Sequence, residues 1–362
     1  MSNTKPDKSQ IESFLKQCRE NVRYINAKKA PDGSIKTVFT IGCTKNYKNN
    51  HLPYTTPSRF NKYFCITGCV VFSREQAISA AAMLDGMVDI IAVDAEKKLP
   101  AVSGAIESGN LVSDCAGVIK KSKLVEFKAN DLTVDAVWAF VSNKLNILSG
   151  RKIAIIGAGN IGSKLALKLV ESGSRVVISR RDHRKGRVIS YALNLVKPEL
   201  TATAVRYSDD VLKSCIGADA ILGCTDGYPA IEWKHIRSSK KDSLVIDVGK
   251  GSISKDAIKR AGVAKKSIYR TDISAALDAH LIMFMRNDEI IRTQLNRKSI
   301  RGLNFVSGGM YGRKGDIVVD NVNNPKVIFG IANGEGDFVR RLSKKQISLI
   351  KKLKDRYGNK RT

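Results

Sequence analysis

The sequence predicts an α/β protein: a doubly wound parallel sheet joined to a smaller N-terminal α/β domain. Three observations carry that expectation. From residue 63 onward, short β-branched runs alternate with stretches of helical periodicity, the pattern of strands joined by crossover helices. One strand-to-helix junction is glycine-rich, reading Lys152-Ile-Ala-Ile-Ile-Gly157-Ala-Gly159-Asn160-Ile161-Gly162. And 362 residues exceed what one hydrophobic core usually serves, so about two domains are expected.

In chain order, residues 1–34 read as a polar arm with one short helix near Ile11 to Tyr24. Met1 to Gln10 has no apolar core, so no secretory signal is expected. Residues 35–41 are β-branched and read as a strand, and residues 44–62 as a long polar loop of the kind that often carries function. Tyr63 to Phe72 is a strand. Ser73, with Gln76 three residues on, opens a helix whose stripe is Ala77, Ile78, Ala81 and Leu84. Met87 to Val93 is the next strand, followed by a helix near Leu99 to Ser108 and a strand from Leu111. Asn130-Asp131 opens a helix, Val134 to Leu148, and closes an N-terminal domain of residues 1–148. Residues 149–330 form the second unit, with strands Lys152–Ile156, Arg175–Ser179, Ala220–Cys224, Ser243–Val248 and Gly302–Val306. A long helix, Ile273 to Asn296, is placed to return to the first domain. Residues 331–362 end in a basic helix with Ile347, Ile350, Leu353 and Tyr357 on one face. That stripe is expected to pack on its own domain, or on a second copy of the chain in a homodimer, rather than on nucleic acid.

Composition narrows the class. Hydrophobic residues at 43% and charged residues at 27% exclude disordered, collagen-like and coiled-coil chains. No run approaches the ~18 apolar residues of a membrane span. Sixty-two Lys and Arg against 34 Asp and Glu give +28, a surface that favours anionic ligands. Seven cysteines, an odd number without a CxxC, and four scattered histidines argue against a disulfide framework or a metal site. A reducing cytoplasm is the expected location.

The glycine-rich turn follows an apolar strand and opens a helix, the setting in which it binds a dinucleotide in a Rossmann domain. Gly157 permits the tight turn, Gly159 lets backbone approach a pyrophosphate, and Gly162 lets helix and strand pack closely. The helix start at Asn160 and Ile161 offers N–H groups to the diphosphate. Cofactor choice is read at the end of the second strand. Ser179 stands where an NAD-binding site usually has an acid, and Arg180 and Arg181 follow. A carboxylate would repel a 2′-phosphate, whereas Ser and two Arg would bind it, so NADP is expected over NAD. The loops Gly223–Gly227 and Asp247–Gly251 lie at strand carboxyl ends. They make Cys224, Thr225, Val248 and Gly249 further cofactor contacts.

With Leu148-Ser-Gly-Arg-Lys-Ile-Ala-Ile-Ile-Gly-Ala-Gly-Asn-Ile-Gly, Ser243-Leu-Val-Ile-Asp-Val-Gly and Val306-Ser-Gly308-Gly309, residues 60–330 resemble a superfamily of NADP-binding oxidoreductases. It includes shikimate dehydrogenase, methylenetetrahydrofolate dehydrogenase, methylenetetrahydromethanopterin dehydrogenase and glutamyl-tRNA reductase. The resemblance implies a substrate domain before the Rossmann domain, and a Lys paired with an Asp in the cleft. Here Lys97 or Lys98 would donate the proton and Asp131 would orient it. This sequence lacks the family's Asn-Val-Thr strand motif and has Asn130-Asp131 for its Asn-x-Asp turn. The expected function is NADP-dependent oxidation or reduction of a C–O or C–N centre in a small, anionic metabolite. Two alternatives stand beside it. One is a non-catalytic protein that binds NADP or a polyanion. The other is a Cys43-dependent reductase of a thioester or aminoacyl-tRNA, from the likeness of Thr40-Ile-Gly-Cys43-Thr to the cysteine stretch of glutamyl-tRNA reductase.

Overall fold

The computed structural model of the chain describes residues 7–44, 52–96 and 109–357. Two compact units make up the chain, Met1–His280 and Leu281–Thr362.

The first unit opens with α1 (Lys8–Ala27), capped by Asp7, whose carboxylate accepts from the Gln10 amide at 2.8 Å. Then come β1 (Lys36–Cys43), β2 (Tyr54–Phe60), β3 (Phe64–Val71), α2 (Arg74–Leu84), β4 (Ile90–Asp94), α3 (Leu111–Ala116) and β5 (Lys123–Phe127). They form a five-stranded sheet of order β2-β3-β1-β4-β5. β3, β1, β4 and β5 run parallel, and β2 closes one edge antiparallel to β3. Phe14, Val22 and Ile25 of α1, with Ala77, Ala81 and Leu84 of α2, bury one face of this sheet on Phe39, Ile41 and Ile91.

Two expectations are corrected here. The polar loop of 44–62 contains the strand β2. Its Pro57 lies where the register slips between Thr56 and Arg59, a position an edge strand tolerates. Leu111 begins a helix, not a strand. Asn110 accepts from the Val112 and Ser113 amides at 3.0 and 3.2 Å, and this cap outweighs the β-branched look of the segment. The helix expected at 99–108 lies outside the described residues.

Next come α4 (Ala129–Leu145), β6 (Lys152–Ile156), α5 (Asn160–Glu171), β7 (Arg175–Ser179), α6 (His183–Val196), β8 (Val205–Ser208) and α7 (Val211–Cys215). They are followed by β9 (Ala220–Gly223), α8 (Trp233–Ser238), β10 (Leu244–Asp247), α9 (Lys255–Val263) and β11 (Ile268–Arg270). The six strands are parallel throughout, in the order β11-β10-β9-β6-β7-β8. This is the two-halved Rossmann order, which reverses between β6 and β9, where ligands of open α/β sheets bind. Runs such as Ile153-Ala-Ile-Ile156 are apolar on both sides because both faces are covered. Val137 and Val141 of α4 and Leu165 and Leu169 of α5 pack on Ile153 and Ile155. Cys215, Ile236 and Ala257 cover Ala154, Ile156 and Ile221 on the other face.

α10 (Ser274–Thr293) starts in this unit and returns to the first sheet, as its pattern predicts. Arg59 of β2 donates to Ser274 Oγ, Asn61 donates to Asp278 at 2.9 Å, and the His280 ring meets the Glu126 carbonyl at 2.8 Å.

The second unit holds β12 (Arg297–Ile300), β13 (Leu303–Ser307), β14 (Ile317–Val319), β15 (Ile328–Ile331) and α11 (Lys344–Tyr357). The strands form a separate four-stranded sheet in sequence order. The strand expected at 302–306 within the dinucleotide-binding sheet therefore belongs elsewhere. It pairs antiparallel with β12 and parallel with β14, neither of which has a strong sequence signal. Leu349 and Leu353 of α11 pack on Phe305, Ile317 and Val319. Leu353 thus lies in the core as its stripe predicts, while Ile347 is exposed.

Candidate functional site

Three loops converge where the six-stranded sheet reverses its order. The first leaves β6. The Gly157 amide donates to the Ser179 carbonyl at 2.9 Å, tying the turn to the end of β7. Gly157 has φ +106°, and a Cβ there would lie 2.6 Å from the Cys224 carbonyl carbon. A Cβ on Gly162 would lie 2.1 Å from the Gly157 oxygen. Both glycines are demanded by packing. Gly159 differs, because a Cβ there would meet nothing within 4 Å. It fronts open space at the start of α5, and as N-cap it supplies no side-chain bond. The first-turn amides, from Asn160, Ile161 and Gly162, are therefore presented to that space without a side-chain acceptor from the cap. A diphosphate fits such a cradle: room for backbone approach, N–H donors and a helix start.

The second element is the end of β7. Ser179 is buried, with its carbonyl engaged by the turn. Arg180 folds over the turn and donates through Nη1 to the Ala158 carbonyl, and its Nε is buried without a hydrogen-bond partner. The Arg181 guanidinium lies 4.6 Å from the centroid of the Tyr228 ring. Asp182, the one carboxylate nearby in sequence, caps α6 by accepting from the Lys185 amide at 3.0 Å. That bond holds its carboxyl below the usual range.

The third side is made by the loops after β9 and β10. The Cys224 amide donates to the Ile156 carbonyl at 2.7 Å. Burial, helped by Asp247, pushes the Cys224 thiol up to about 12, so it stays protonated and serves as wall. Ser252 Oγ donates to the Thr225 carbonyl at 3.2 Å. Gly249 is required there, since a Cβ would lie 1.7 Å from the Thr225 oxygen. Asp247 accepts from the Gly251 and Ser252 amides at 2.8 and 3.0 Å, which shapes the turn beyond Val248. All twelve expected cofactor contacts thus lie on these three loops, in the first turn of α5 or at the end of β7.

The expected catalytic residues are placed less fully. Lys97 and Lys98 lie outside the described residues. Asp131, in the first turn of α4, is ion-paired with Lys128 and with Lys164 of α5. Burial would raise its carboxyl, but the two lysines outweigh that and hold it below the usual range. The Asn130 amide donates to Glu96 at 3.3 Å. Cys43 ends β1 and Asp94 ends β4, neighbours at the point where the first sheet reverses its order. Both are buried, and the Cys43 sulfur lies 3.9 Å from the Asp94 carboxylate. Cys43, Asp94, Glu96 and Asp131 thus gather at strand carboxyl ends.

The sequence reading missed Tyr228, Lys164, Asp94 and Glu96. Only Asp94 had a local signal, as the acid that ends a buried strand. Among the described residues no three His, Cys, Asp or Glu side chains are grouped to hold a metal ion. Among them, too, no helix is long and apolar enough to cross a membrane.

Residues 152–251 match the family model described as NADP oxidoreductase, coenzyme F420-dependent. No curated protein matches the chain. Solved structures with partial likeness include ornithine carbamoyltransferase from Gloeobacter violaceus, at 12% identity and TM-score 0.37, covering 68% of this chain and 86% of that one. A dipicolinate synthase chain from Bacillus halodurans aligns at 11% identity and TM-score 0.34, covering 71% and 97%. Phosphoglycerate oxidoreductase from Vibrio cholerae aligns at 13% and 0.31, covering 65% and 83%. The family match supports an NAD(P)-dependent oxidoreductase with a nucleotide-binding Rossmann domain.

Proposed function

We propose that the chain is an NADP(H)-dependent dehydrogenase or reductase acting on a C–O or C–N centre of a small anionic metabolite. The observation that carries this reading is the end of β7. Asp182, the carboxylate that follows in sequence, is engaged in capping α6, while Arg180 lies on the glycine-rich turn and Arg181 lies against Tyr228. A site so arranged offers a ribose 2′-phosphate two guanidinium groups. Gly157, Gly159, Asn160, Ile161 and Gly162 would hold the diphosphate, and Ser179, Arg180 and Arg181 the 2′-phosphate. Cys224, Thr225, Val248 and Gly249 would line the far half of the cofactor.

When bound, NADP(H) supplies or accepts the hydride. The chain's own residues bind the substrate and handle its proton. In reduction of a carbonyl, hydride goes to carbon and a proton to oxygen. Lys97 or Lys98 would deliver that proton, and Asp131 would orient the donor. The +28 charge favours an anionic substrate. The cysteines, all free thiols, suit a reducing compartment. Calorimetric titration with NADPH and NADH at moderate salt tests the reading. NADPH is expected to bind at least tenfold more tightly, and Arg180→Ala with Arg181→Ala to remove that preference. Equal affinity for both cofactors would overturn the NADP assignment.

A further inference from the structure

None of the residues assigned above to the cofactor belongs to the Leu281–Thr362 unit. It carries eighteen Lys and Arg against seven Asp and Glu, a net of +11 in 82 residues. The other 280 residues carry +17, so the charge per residue is about twice as high here.

Its sheet has two unlike faces. One is covered by Leu349 and Leu353 of α11 over Phe305, Ile317 and Val319. The other buries only Val306, Val318 and Ala332. On this second face Phe329 is 52% exposed and Phe338 43%, and Tyr311 in the neighbouring loop is 85% exposed. Half-exposed phenylalanines on one face form an open apolar patch of the kind that marks an interaction surface.

The rings are held in a particular way. A Cβ on Gly308 would lie 3.0 Å from Phe329, and one on Gly330 would lie 2.8 Å from Phe338. Each ring therefore rests on bare glycine backbone and leaves area open outward. Phe329 and Phe338 also line a cavity of about 450 Å³ with Leu295, Gly308, Gly309 and Val318. Exposed cations flank the same segments, with Glu335 and Asp337 exposed before Phe338 and Asp320 on the cavity wall. Lys326 precedes β15, Arg340 and Arg341 follow Phe338, and Arg313 and Lys314 follow Tyr311. Among the described residues no ion pair engages Arg340 or Arg341.

A sheet covered by helix on one side, with open aromatic rings on the other and exposed cations in the adjoining segments, has the chemistry of a stacking platform for unpaired bases. We propose that the Leu281–Thr362 unit binds single-stranded nucleic acid. Bases stack on Phe329 and Phe338, while Lys326, Arg340 and Arg341 meet the phosphates. An anionic protein surface would use the charge but has no need of paired aromatic rings.

The test is fluorescence anisotropy of the full chain with labelled U15 RNA and dT15 DNA, from 50 to 200 mM KCl. At least one oligonucleotide is expected to bind in the micromolar range, more weakly as salt rises. Phe329→Leu with Phe338→Leu keeps apolar volume but removes the stacking faces. It is expected to weaken binding roughly tenfold or more. Phe329→Tyr with Phe338→Tyr keeps the faces and is expected to retain affinity within about threefold. RNA and DNA are distinguished by which oligonucleotide binds more tightly. Three results would overturn the proposal. One is no binding of either oligonucleotide at 50 mM KCl. Another is equal binding by the leucine and tyrosine variants. The third is a sedimentation shift from dimer to monomer in the leucine variant with oligonucleotide binding intact, which would make the aromatic face an interface between copies of the chain.

Discussion

Gly157 and Gly159 stand two residues apart and do different work. Gly157 sits at positive φ with no space for a Cβ, so Gly157→Ala is predicted to destabilise the first unit by about 1–3 kcal/mol. Gly159 has open space and an extended backbone, so Gly159→Ala is predicted to keep the wild-type melting temperature. Its methyl group would occupy the diphosphate cradle and cut NADPH affinity at least tenfold. Thermal melts and cofactor titrations on the two variants separate these effects. Asp131 yields a prediction with a definite sign. Its carboxyl is held below the usual range, against burial, by Lys128 and Lys164. Its stabilisation is therefore present above the unfolded carboxylate value and lost as pH falls through the depressed one. Asp131→Asn should be less stable than wild type at neutral pH, and the gap should close in acid. A gap independent of pH would remove the ion pairs from the account. Cys43 is buried beside Asp94, a poor setting for a nucleophile that must reach substrate, and Cys43→Ser is expected to retain turnover.

At the scale of elements, burial decided what could be read in advance. β6, β7, β9 and β10 were legible because strands of a sheet covered on both faces carry continuous runs of Ile, Val, Ala and Leu. β8 and β11, of four and three residues, are too short and polar to show any period. α3 was misread because Leu111 and Val112 look like strand, whereas the Asn110 cap decides the matter. α11 was legible by its stripe, of which Leu353 is the buried anchor. Leu353→Ala is predicted to destabilise the second unit by about 2–4 kcal/mol, the cost of a cavity on Phe305 and Val319. Chemical denaturation followed by amide exchange of β13 and β14 checks this. Full protection in the variant would mean that α11 contributes little to that core.

Over the whole molecule, the glycine-rich turn, the basic end of β7 and the strand-end loops were legible because each is a continuous stretch of sequence. Pairings across the fold were not. Arg181 meets Tyr228 and Asp131 meets Lys164 only because the parallel sheet and α4 bring distant segments together. The separate C-terminal sheet was hidden by short strands of weak pattern, although its charge was plain in the composition. In the proposed site, the crossing point of the six-stranded sheet binds NADPH through Gly159, Arg180 and Arg181. The most direct measurement is the dissociation constant of NADPH for wild type, Gly159→Ala and Arg180→Ala/Arg181→Ala, with NADH titrated in parallel. The account predicts tight NADPH binding that both variants weaken, with the arginine variant leaving NADH binding unchanged. No NADPH binding, or NADPH affinity indifferent to all three residues, would contradict it.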